Sequence, residues 1–231
     1  MAEGSALIVG GTGGIGLEIA RHYHEQGQPV IITGRDAARS AQIASEELGE
    51  GATGLGFDLT EPHTVSEALS GVGPISRLVI TAILRDHNPI REYNTASALE
   101  LVTMKMVGYT ETIHALIPQF SDDAAVVLFG GLAKERPYPG AITVATVNGG
   151  ISTMINDLVI ELAPIRFNAI HPGIVGDSPY WEGKDLQGFV DRTPTGELAT
   201  MADVVGATVF LLENRAVNGV NLYVDGGWML M

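Results

Sequence analysis

The sequence predicts an α/β fold in which a parallel β-sheet carries helices on both of its faces. Short apolar or β-branched segments alternate with longer amphipathic stretches along the whole chain, which favours a doubly wound arrangement of β-α-β units. Two of the short segments, Leu78–Ala82 and Ala125–Phe129, are apolar throughout, as strands buried on both faces usually are. A glycine-rich segment, Gly10–Gly16, follows the first apolar segment directly.

The segments can be placed in order along the chain. The predicted strands are Ala6–Val9, Val30–Thr33, Thr53–Phe57, Leu78–Ala82, Ala125–Phe129, Phe167–Ile170 and Asn221–Val224. The predicted helices are Gly14–Glu25, Asp36–Leu48, Pro62–Leu69, Ala98–Ile117, Thr143–Leu162 and Ala202–Leu212. Because no linker or low-complexity tract divides the chain, we expect a single domain over residues 1–231.

Composition excludes several classes of partner and chemistry. The chain has 13 basic and 27 acidic residues and a formal net charge of −14, which argues against nucleic acid or an anionic membrane as a partner. It contains no cysteine, and its six histidines are scattered, so we expect no metal site. Ala6–Val9 is too short for the core of a signal peptide, and no apolar run reaches the roughly 18 residues of a membrane span. We therefore expect a cytoplasmic protein.

The glycine-rich segment Gly10–Gly16 is the clearest sign of a ligand. Its glycines match either of two dinucleotide-binding patterns, with Gly11 and Gly13 or with Gly10 and Gly14, each ending at Gly16. Glycines at these positions let backbone N–H groups and the start of a helix approach a pyrophosphate. An ordinary glycine-rich loop is the alternative, but the position between the first strand and the first helix favours dinucleotide binding. The residues predicted to hold the pyrophosphate are Gly10, Thr12, Gly13, Gly14, Ile15 and Gly16.

The end of the second strand predicts which dinucleotide binds. An acidic side chain there usually holds the ribose of NAD, whereas an arginine accommodates the 2′-phosphate of NADP. This chain has Gly34 in the likely acidic position and Arg35 next to it. Asp36 competes for the NAD role, but it stands where the following helix needs an N-cap. NADP(H) is therefore preferred over NAD(H), with a plain surface charge as the alternative role for Arg35.

Several motifs together resemble those of the short-chain dehydrogenase/reductase family over nearly the whole chain. The matching segments are Gly10/Gly14/Gly16, Asp58-Leu59, Glu161–Ala169, His171–Val175 and Val224–Gly227. The resemblance implies a Rossmann-type domain with a seven-stranded parallel sheet and a helix-pair oligomer interface. It also implies that Asp58, in the Asp58-Leu59 motif, contacts adenine. The segment from Pro172 and Gly173 to about Asp177, which includes Val175, is expected to line the nicotinamide side. Ala82, at the end of the predicted fourth strand, completes the expected cofactor-binding set.

The resemblance fails where that family carries its catalytic residues. Ile80–Ile83 stands in place of Asn-Asn-Ala-Gly, and Lys105 aligns with the catalytic asparagine. Gly131, Val144 and Asn148 align with the catalytic serine, tyrosine and lysine. The interval of 13 residues between Gly131 and Val144 is the family's usual one, which argues against a slipped alignment. Because valine cannot move a proton, we expect that the ordinary mechanism of the family cannot run here.

Three other residues are candidates for the missing chemistry. Lys105 lies in an otherwise apolar stretch and needs a compensating anion, either from a ligand or from a structural glutamate. His87 and Tyr138 follow the fourth and fifth strands, whose carboxyl ends border the expected crevice. A solvated loop position is the alternative for His87. His171, after the sixth strand, can be a simple strand-end cap.

The remaining expectations concern substrate, assembly and activity. Tyr180 and Trp181 lie in the expected substrate lid, either as a wall for an apolar or aromatic small molecule or as anchors of the lid. The predicted helices Ala98–Ile117 and Thr143–Leu162, together with the apolar C-terminus Trp228–Met231, predict a homodimer or homotetramer. Three activities stay open: an oxidoreductase with rearranged acid–base groups, a non-redox NADP(H)-binding enzyme, or a silent redox sensor or partner subunit.

Overall fold

The central element of the fold is one sheet of seven parallel strands in the order β3-β2-β1-β4-β5-β6-β7. The computed structural model describes residues 4–231. Its strands are β1 Ser5–Val9, β2 Val30–Gly34, β3 Ala52–Gly56, β4 Ile75–Ile80, β5 Phe120–Phe129, β6 Arg166–Pro172 and β7 Asn221–Val224. The strand order reverses between β1 and β4, and a crevice for a ligand forms at such a reversal, outside the carboxyl ends of the strands. The predicted fold class is confirmed.

Helices cover both faces of this sheet. They are α1 Gly14–Glu25, α2 Ala37–Ile43, α3 Val65–Leu69, α4 Thr95–Val102, α5 Tyr109–Leu116, α6 Ile142–Glu161, α7 Gln187–Val190 and α8 Met201–Glu213. Single 3₁₀ turns lie at Pro62–Thr64, Ile90–Glu92, Ile117–Gln119, Leu132–Lys134, Pro179–Trp181 and Trp228–Leu230. Within residues 4–231, no helix has the length and apolar character needed to cross a membrane.

The core consists of two layers, one on each side of the sheet. Successive residues of β1 alternate between them: Ala6 and Ile8 pack with α1 and α8, whereas Leu7 and Val9 pack on the opposite side. That opposite layer is formed with the long α6 helix and with the helical stretch that contains α4 and α5. Strands buried on both sides explain why the sequence shows continuous apolar runs instead of alternation.

Strand β4 begins three residues earlier than the sequence predicts, because its polar residues are paired inside the fold. Arg77 is buried and donates from Nε to Glu213 Oε1 at 2.8 Å and from Nη2 to Glu213 Oε2 at 3.0 Å. The Arg77 guanidinium holds the pKa of the Glu213 carboxyl below its usual range. These paired charges lie at the amino ends of the strands, away from the crevice.

The helical stretch from α4 to α5 is interrupted by one wide turn. Residues Thr103–Gly108 form a π-helical segment between the two helices, and Lys105 lies within it. Gly108 is pressed against Leu59, since a Cβ at Gly108 would lie 2.4 Å from the Leu59 carbonyl oxygen. Segments of this kind inside α-helices are frequent at functional sites.

Candidate active site

The glycine-rich turn after β1 leaves an open anion-binding cradle. Gly10 has a φ of +85°, and a Cβ at Gly16 would lie 2.3 Å from the Gly10 carbonyl oxygen, so the turn closes only with glycine at these positions. Helix α1 begins at Gly14, and no side chain caps its first N–H groups. A Cβ at Gly13 or Gly14 would meet no atom within 4 Å. This space beside uncapped N–H groups suits a pyrophosphate.

The end of β2 has no room for an acidic side chain at position 34. A Cβ at Gly34 would lie 2.9 Å from Thr12 Cγ2, so Thr12 already occupies that space. Asp36 is the N-cap of α2 and accepts a hydrogen bond from Arg39 N at 2.9 Å, as predicted. Arg35 is exposed, and no acidic side chain of residues 4–231 lies within salt-bridge distance of it.

Asp58, Leu59 and Ala82 follow β3 and β4 at the same edge of the sheet. Asp58 Oδ1 accepts from Thr60 N at 2.9 Å and from Thr60 Oγ1 at 2.8 Å, which fixes its side chain in a local turn. Leu59 is buried in the core. The carbonyl of Ala82 accepts a hydrogen bond from the buried Tyr109 hydroxyl at 2.8 Å.

Lys105 is a buried ammonium without a carboxylate. Its side chain comes from the π-helical turn, and the residue is 4% exposed. Nζ donates to the carbonyl oxygen of Phe129 at 2.6 Å and lies 5.2 Å from the centroid of the Tyr109 ring. Within residues 4–231 no acidic oxygen lies within 4.0 Å of it. No glutamate of residues 4–231 is therefore its partner, and burial lowers the pKa of Lys105 to about 8.

Gly131, Val144 and Asn148 lie next to one another at the end of β5. A Cβ at Gly131 would lie 2.7 Å from Asn148 Nδ2, so the asparagine amide takes the space that a side chain at 131 would need. Asn148 is buried on α6, and Val144, one helical turn earlier, packs partly on the core. Position 131 therefore has no side chain, and positions 144 and 148 supply only an alkyl group and an amide.

His171 is a buried neutral imidazole that joins three elements. Its Nδ1 accepts from Gly131 N at 3.0 Å, and its Nε2 donates to Asn221 Oδ1 at 2.8 Å. Burial lowers the pKa of His171 to about 4. The strand-end cap considered from the sequence is too modest a role, because His171 links β6 to β7 and to the loop after β5. Asn221 was missed from the sequence, although a polar residue in an apolar strand such as His171 calls for a partner.

Tyr138 lines a separate groove, and His87 packs on Gly140, another residue of its lining. The groove has a volume of about 350 Å³ and is mainly apolar. It is lined by Asn88, Ile90, Pro137, Tyr138, Gly140, Ala141, Ile142, Ala145 and Thr146. His87 packs on Gly140, where a Cβ would lie 2.5 Å from His87 Nε2. Lys105 does not line this groove, so the structure brings two of the three candidates to its edge and leaves the third outside it.

The segment after β6 covers the carboxyl edge of the sheet. Gly173 N donates to the Val224 carbonyl at 2.9 Å, and Val175 pairs with Ala199 in an isolated bridge. Tyr180 and Trp181 form an edge-to-face pair with ring centroids 4.7 Å apart. Trp181 in turn lies 5.8 Å from the Phe189 ring. The three aromatic rings therefore pack on one another within the segment expected to form the lid, while Tyr180 stays partly exposed.

Comparison with known proteins identifies the family. The family model described as enoyl-(acyl carrier protein) reductase matches residues 10–229. The chain belongs to the short-chain dehydrogenase/reductase family. It is thus a member of a family of oxidoreductases, in agreement with the resemblance found in its motifs.

Relatives of this short-chain dehydrogenase/reductase match it from end to end. L-xylulose reductase of Bos taurus is 28% identical, covering 99% of this chain and 98% of that protein. Gluconate 5-dehydrogenase of Gluconobacter oxydans is 27% identical, covering 96% and 93%. A solved 3-ketoacyl-(acyl-carrier-protein) reductase from Brucella melitensis, complexed with NADH, is 26% identical, covers 98% of each chain and has a TM-score of 0.85.

Within residues 4–231 no group of three or more metal-ligating side chains comes together.

Proposed function

We propose that this chain is an NADP(H)-dependent oxidoreductase of small carbonyl or alcohol substrates, with Lys105 in place of the family's usual proton donor. The observation that carries the proposal is the buried Lys105 ammonium, which has a pKa of about 8 and no carboxylate partner among the described residues. An acid with a pKa close to the working pH is well suited to proton transfer.

The cofactor half of the proposal rests on the open cradle. The uncapped start of α1 and the free Arg35 suit a pyrophosphate and a 2′-phosphate, and a relative of similar fold was solved with NADH. A bound nicotinamide supplies the hydride equivalent. The residues that we assign to the cofactor are Gly10, Thr12, Gly13, Gly14, Ile15, Gly16, Arg35, Asp58, Leu59, Ala82, Pro172, Gly173 and Val175.

The catalytic half rests on an exchange of two residue types. Lys105 stands where the family has its catalytic asparagine, and Asn148 stands where the family has its catalytic lysine. The site therefore keeps one amide and one ammonium, but the two groups have exchanged positions. Asn148 Nδ2 lies beside Gly131, and in this proposal its amide donates a hydrogen bond to the substrate oxygen there. Reduction of the substrate carbonyl leaves negative charge on its oxygen. Lys105 Nζ donates a proton to that oxygen, which gives the alcohol, and the neutral amine then regains a proton from solvent. Val144 only shapes the site.

Tyr138 and His87 are the second candidates for the proton donor. Tyr138 lines the apolar groove and His87 packs on its wall, whereas Lys105 lies outside it. A substrate whose reacting carbon sits in the groove would be nearer to these two side chains. The groove itself supports an apolar or aromatic substrate.

The test is a panel of ketones, aldehydes and quinones assayed for NADPH oxidation with wild type, Lys105→Met and Val144→Ala. Loss of a general acid costs roughly 10²- to 10⁴-fold, so Lys105→Met should lower any wild-type rate by at least about 100-fold. Val144→Ala should stay close to wild type, because its side chain moves no proton. NADPH affinity and the circular dichroism spectrum should be unchanged in all three proteins.

Two outcomes would overturn this mechanism. Carbonyl reduction that survives Lys105→Met would show that the proton comes from another group, and Tyr138→Phe and His87→Gln would then be assayed. A panel without turnover for all three proteins would favour a non-redox NADP(H)-binding enzyme, a redox sensor or a partner subunit.

A further inference from the structure

Two cations lie against one aromatic ring in the segments that follow β4 and β6. Arg85 Cζ is 3.2 Å from the centroid of the Tyr180 ring, and Lys184 Nζ is 3.5 Å from the same centroid. Arg85 belongs to the loop after β4, whereas Tyr180 and Lys184 belong to the lid after β6. The contact therefore joins the segment after β6 to the loop after β4.

Neither cation has an acidic partner among residues 4–231. No carboxylate oxygen lies within 4.0 Å of Arg85 or Lys184, although Glu182 and Asp185 are close to Lys184 in sequence. Asp86 follows Arg85, but its Oδ2 is buried without any hydrogen-bond partner. In a chain with 27 acidic and only 13 basic residues, Arg85 and Lys184 are thus two neighbouring cations that no described carboxylate contacts within salt-bridge distance.

Stacking on Tyr180 prepares Arg85 for an anion. A guanidinium that lies on an aromatic face keeps the N–H groups of its edge free, and that edge matches the two oxygens of a carboxylate or phosphate. The Arg85 side chain makes no hydrogen bond to any described residue. Because the ring fixes the plane of the guanidinium, less conformational entropy is lost when an anion binds.

The loop that carries Arg85 also contributes residues to the apolar groove. Asn88, which lines the groove, is three residues from Arg85, a separation of at most about 10 Å along the chain. The other groove residues offer alkyl and aromatic surface, including Ile90, Tyr138 and Ile142. A ligand that fills the groove can therefore extend a charged end to Arg85.

We propose that Arg85, held against Tyr180 and assisted by Lys184, binds the carboxylate or phosphate end of a substrate whose apolar part occupies the groove. The proposal rests on the proposed function, since it specifies the substrate class of that oxidoreductase. Tyr180 acts as a positioning residue, because it touches the guanidinium and not the anion. Lys184 Nζ also lies 4.9 Å from the centroid of the Trp181 ring, so the aromatic pair Tyr180 and Trp181 holds this second cation close to the ring that contacts Arg85.

Binding of small probes tests the proposal without any turnover. The probes are 3-phenylpropanoate, 2-phenylethyl phosphate and the neutral 3-phenylpropanamide, titrated against the full chain with and without NADPH. Quenching of tryptophan fluorescence is the readout, with Trp181 beside Tyr180 as reporter. We expect at least one anion to bind about tenfold more tightly than the amide, and the tighter of the two anions identifies the terminal group.

Matched variants separate the anion contact from a structural one. Arg85→Gln should weaken anion binding about tenfold and change amide binding less than about twofold. Arg215→Gln, which removes the same charge near the amino edge of the sheet, should leave all three affinities unchanged. Tyr180→Leu should weaken anion binding, and Tyr180→Phe, which keeps the ring, should restore it.

Three results would overturn the proposal. The first is equal affinity for the anions and the amide, and the second is that no probe binds. The third is that Arg85→Gln weakens the binding of the anions and of the amide equally, which would mean that the Arg85–Tyr180 contact only holds the lid in place. Because NADPH affinity and turnover do not enter the measurement, these results differ from a failure of the proposed function.

Discussion

Lys105 is a buried cation whose ammonium pairs with a neutral group, and the proposed chemistry depends on it. An ammonium in an apolar stretch predicts burial and a partner, and the structure confirms the burial. The partner is the neutral carbonyl of Phe129, on a strand distant in sequence. The sequence cannot predict that contact, because it depends on the π-helical turn that directs Lys105 toward β5.

The pKa of Lys105 predicts how stability depends on pH. Burial lowers this pKa from 10.5 to about 8, so the unfolded chain holds a proton that the folded chain releases between these values. The free energy of unfolding should therefore rise with pH across that window, and below it the protonated lysine costs on the order of 3 kcal/mol. The Lys105→Met variant should be more stable than wild type at neutral pH, and its free energy of unfolding should not show this increase with pH. Denaturant unfolding at several pH values measures this, and identical pH slopes in both proteins would contradict it.

Other single residues divide into those that local rules specify and those that they do not. Asp36 as the N-cap of α2 follows from helix chemistry and is confirmed. The partners of His171 and the stacking of Arg85 on Tyr180 join segments far apart in sequence, so no local pattern reveals them.

At the scale of elements, the periodicity of the sequence locates the strands and helices well and their ends less well. Helix α1 and strand β7 match their predicted bounds. Strand β5 begins at Phe120, five residues before the predicted start. The prediction began too late because Asp122 and Asp123 interrupt the apolar run, whereas the strand itself continues through them. Pairing with a neighbouring strand decides such ends, and that pairing is not local.

The glycine-rich turn allows a matched pair of substitutions. Gly13→Ala adds a Cβ that meets no atom within 4 Å, at a φ of 175° that alanine adopts freely, so stability should be unchanged. NADPH affinity should fall at least about tenfold, since the methyl group enters the proposed pyrophosphate space.

The second substitution provides the contrast. Gly16→Ala places a Cβ 2.3 Å from the Gly10 carbonyl oxygen and should destabilise the fold by about 1–3 kcal/mol. Calorimetry gives the affinities and thermal unfolding gives the stabilities. An unchanged NADPH affinity in Gly13→Ala would remove the cofactor from this turn.

For the whole molecule, the sequence predicts the doubly wound sheet correctly. This is because the burial of the strands and the connections between them leave patterns that can be recognised in the sequence. The position of the crevice follows from the strand order. The groove beside Tyr138 and the lid contact do not, since they depend on how long loops pack against each other.

The surface of the molecule predicts self-association. Leu99 and Val107, on the helical stretch from α4 to α5, are 61% and 51% exposed, and Leu230 at the C-terminus is 87% exposed. We expect a homodimer or homotetramer that covers these side chains. Val107→Glu should reduce the mass measured by light scattering, while Ala41→Glu on exposed α2 should not. A wild-type mass of 24.4 kDa at micromolar concentration would contradict the prediction.

The most direct test of the whole account is calorimetric titration of the protein with NADPH and NADH, because every proposed activity begins with that cofactor. Arg35 has no acidic partner among the described residues, and Thr12 fills the space at Gly34, so NADPH should bind at least about tenfold more tightly than NADH, a difference of about 1.4 kcal/mol. Arg35→Asp should abolish that preference while the fold is retained. Equal affinities for the two nucleotides in wild type would contradict the assignment of NADP(H), and binding of neither would contradict the account as a whole.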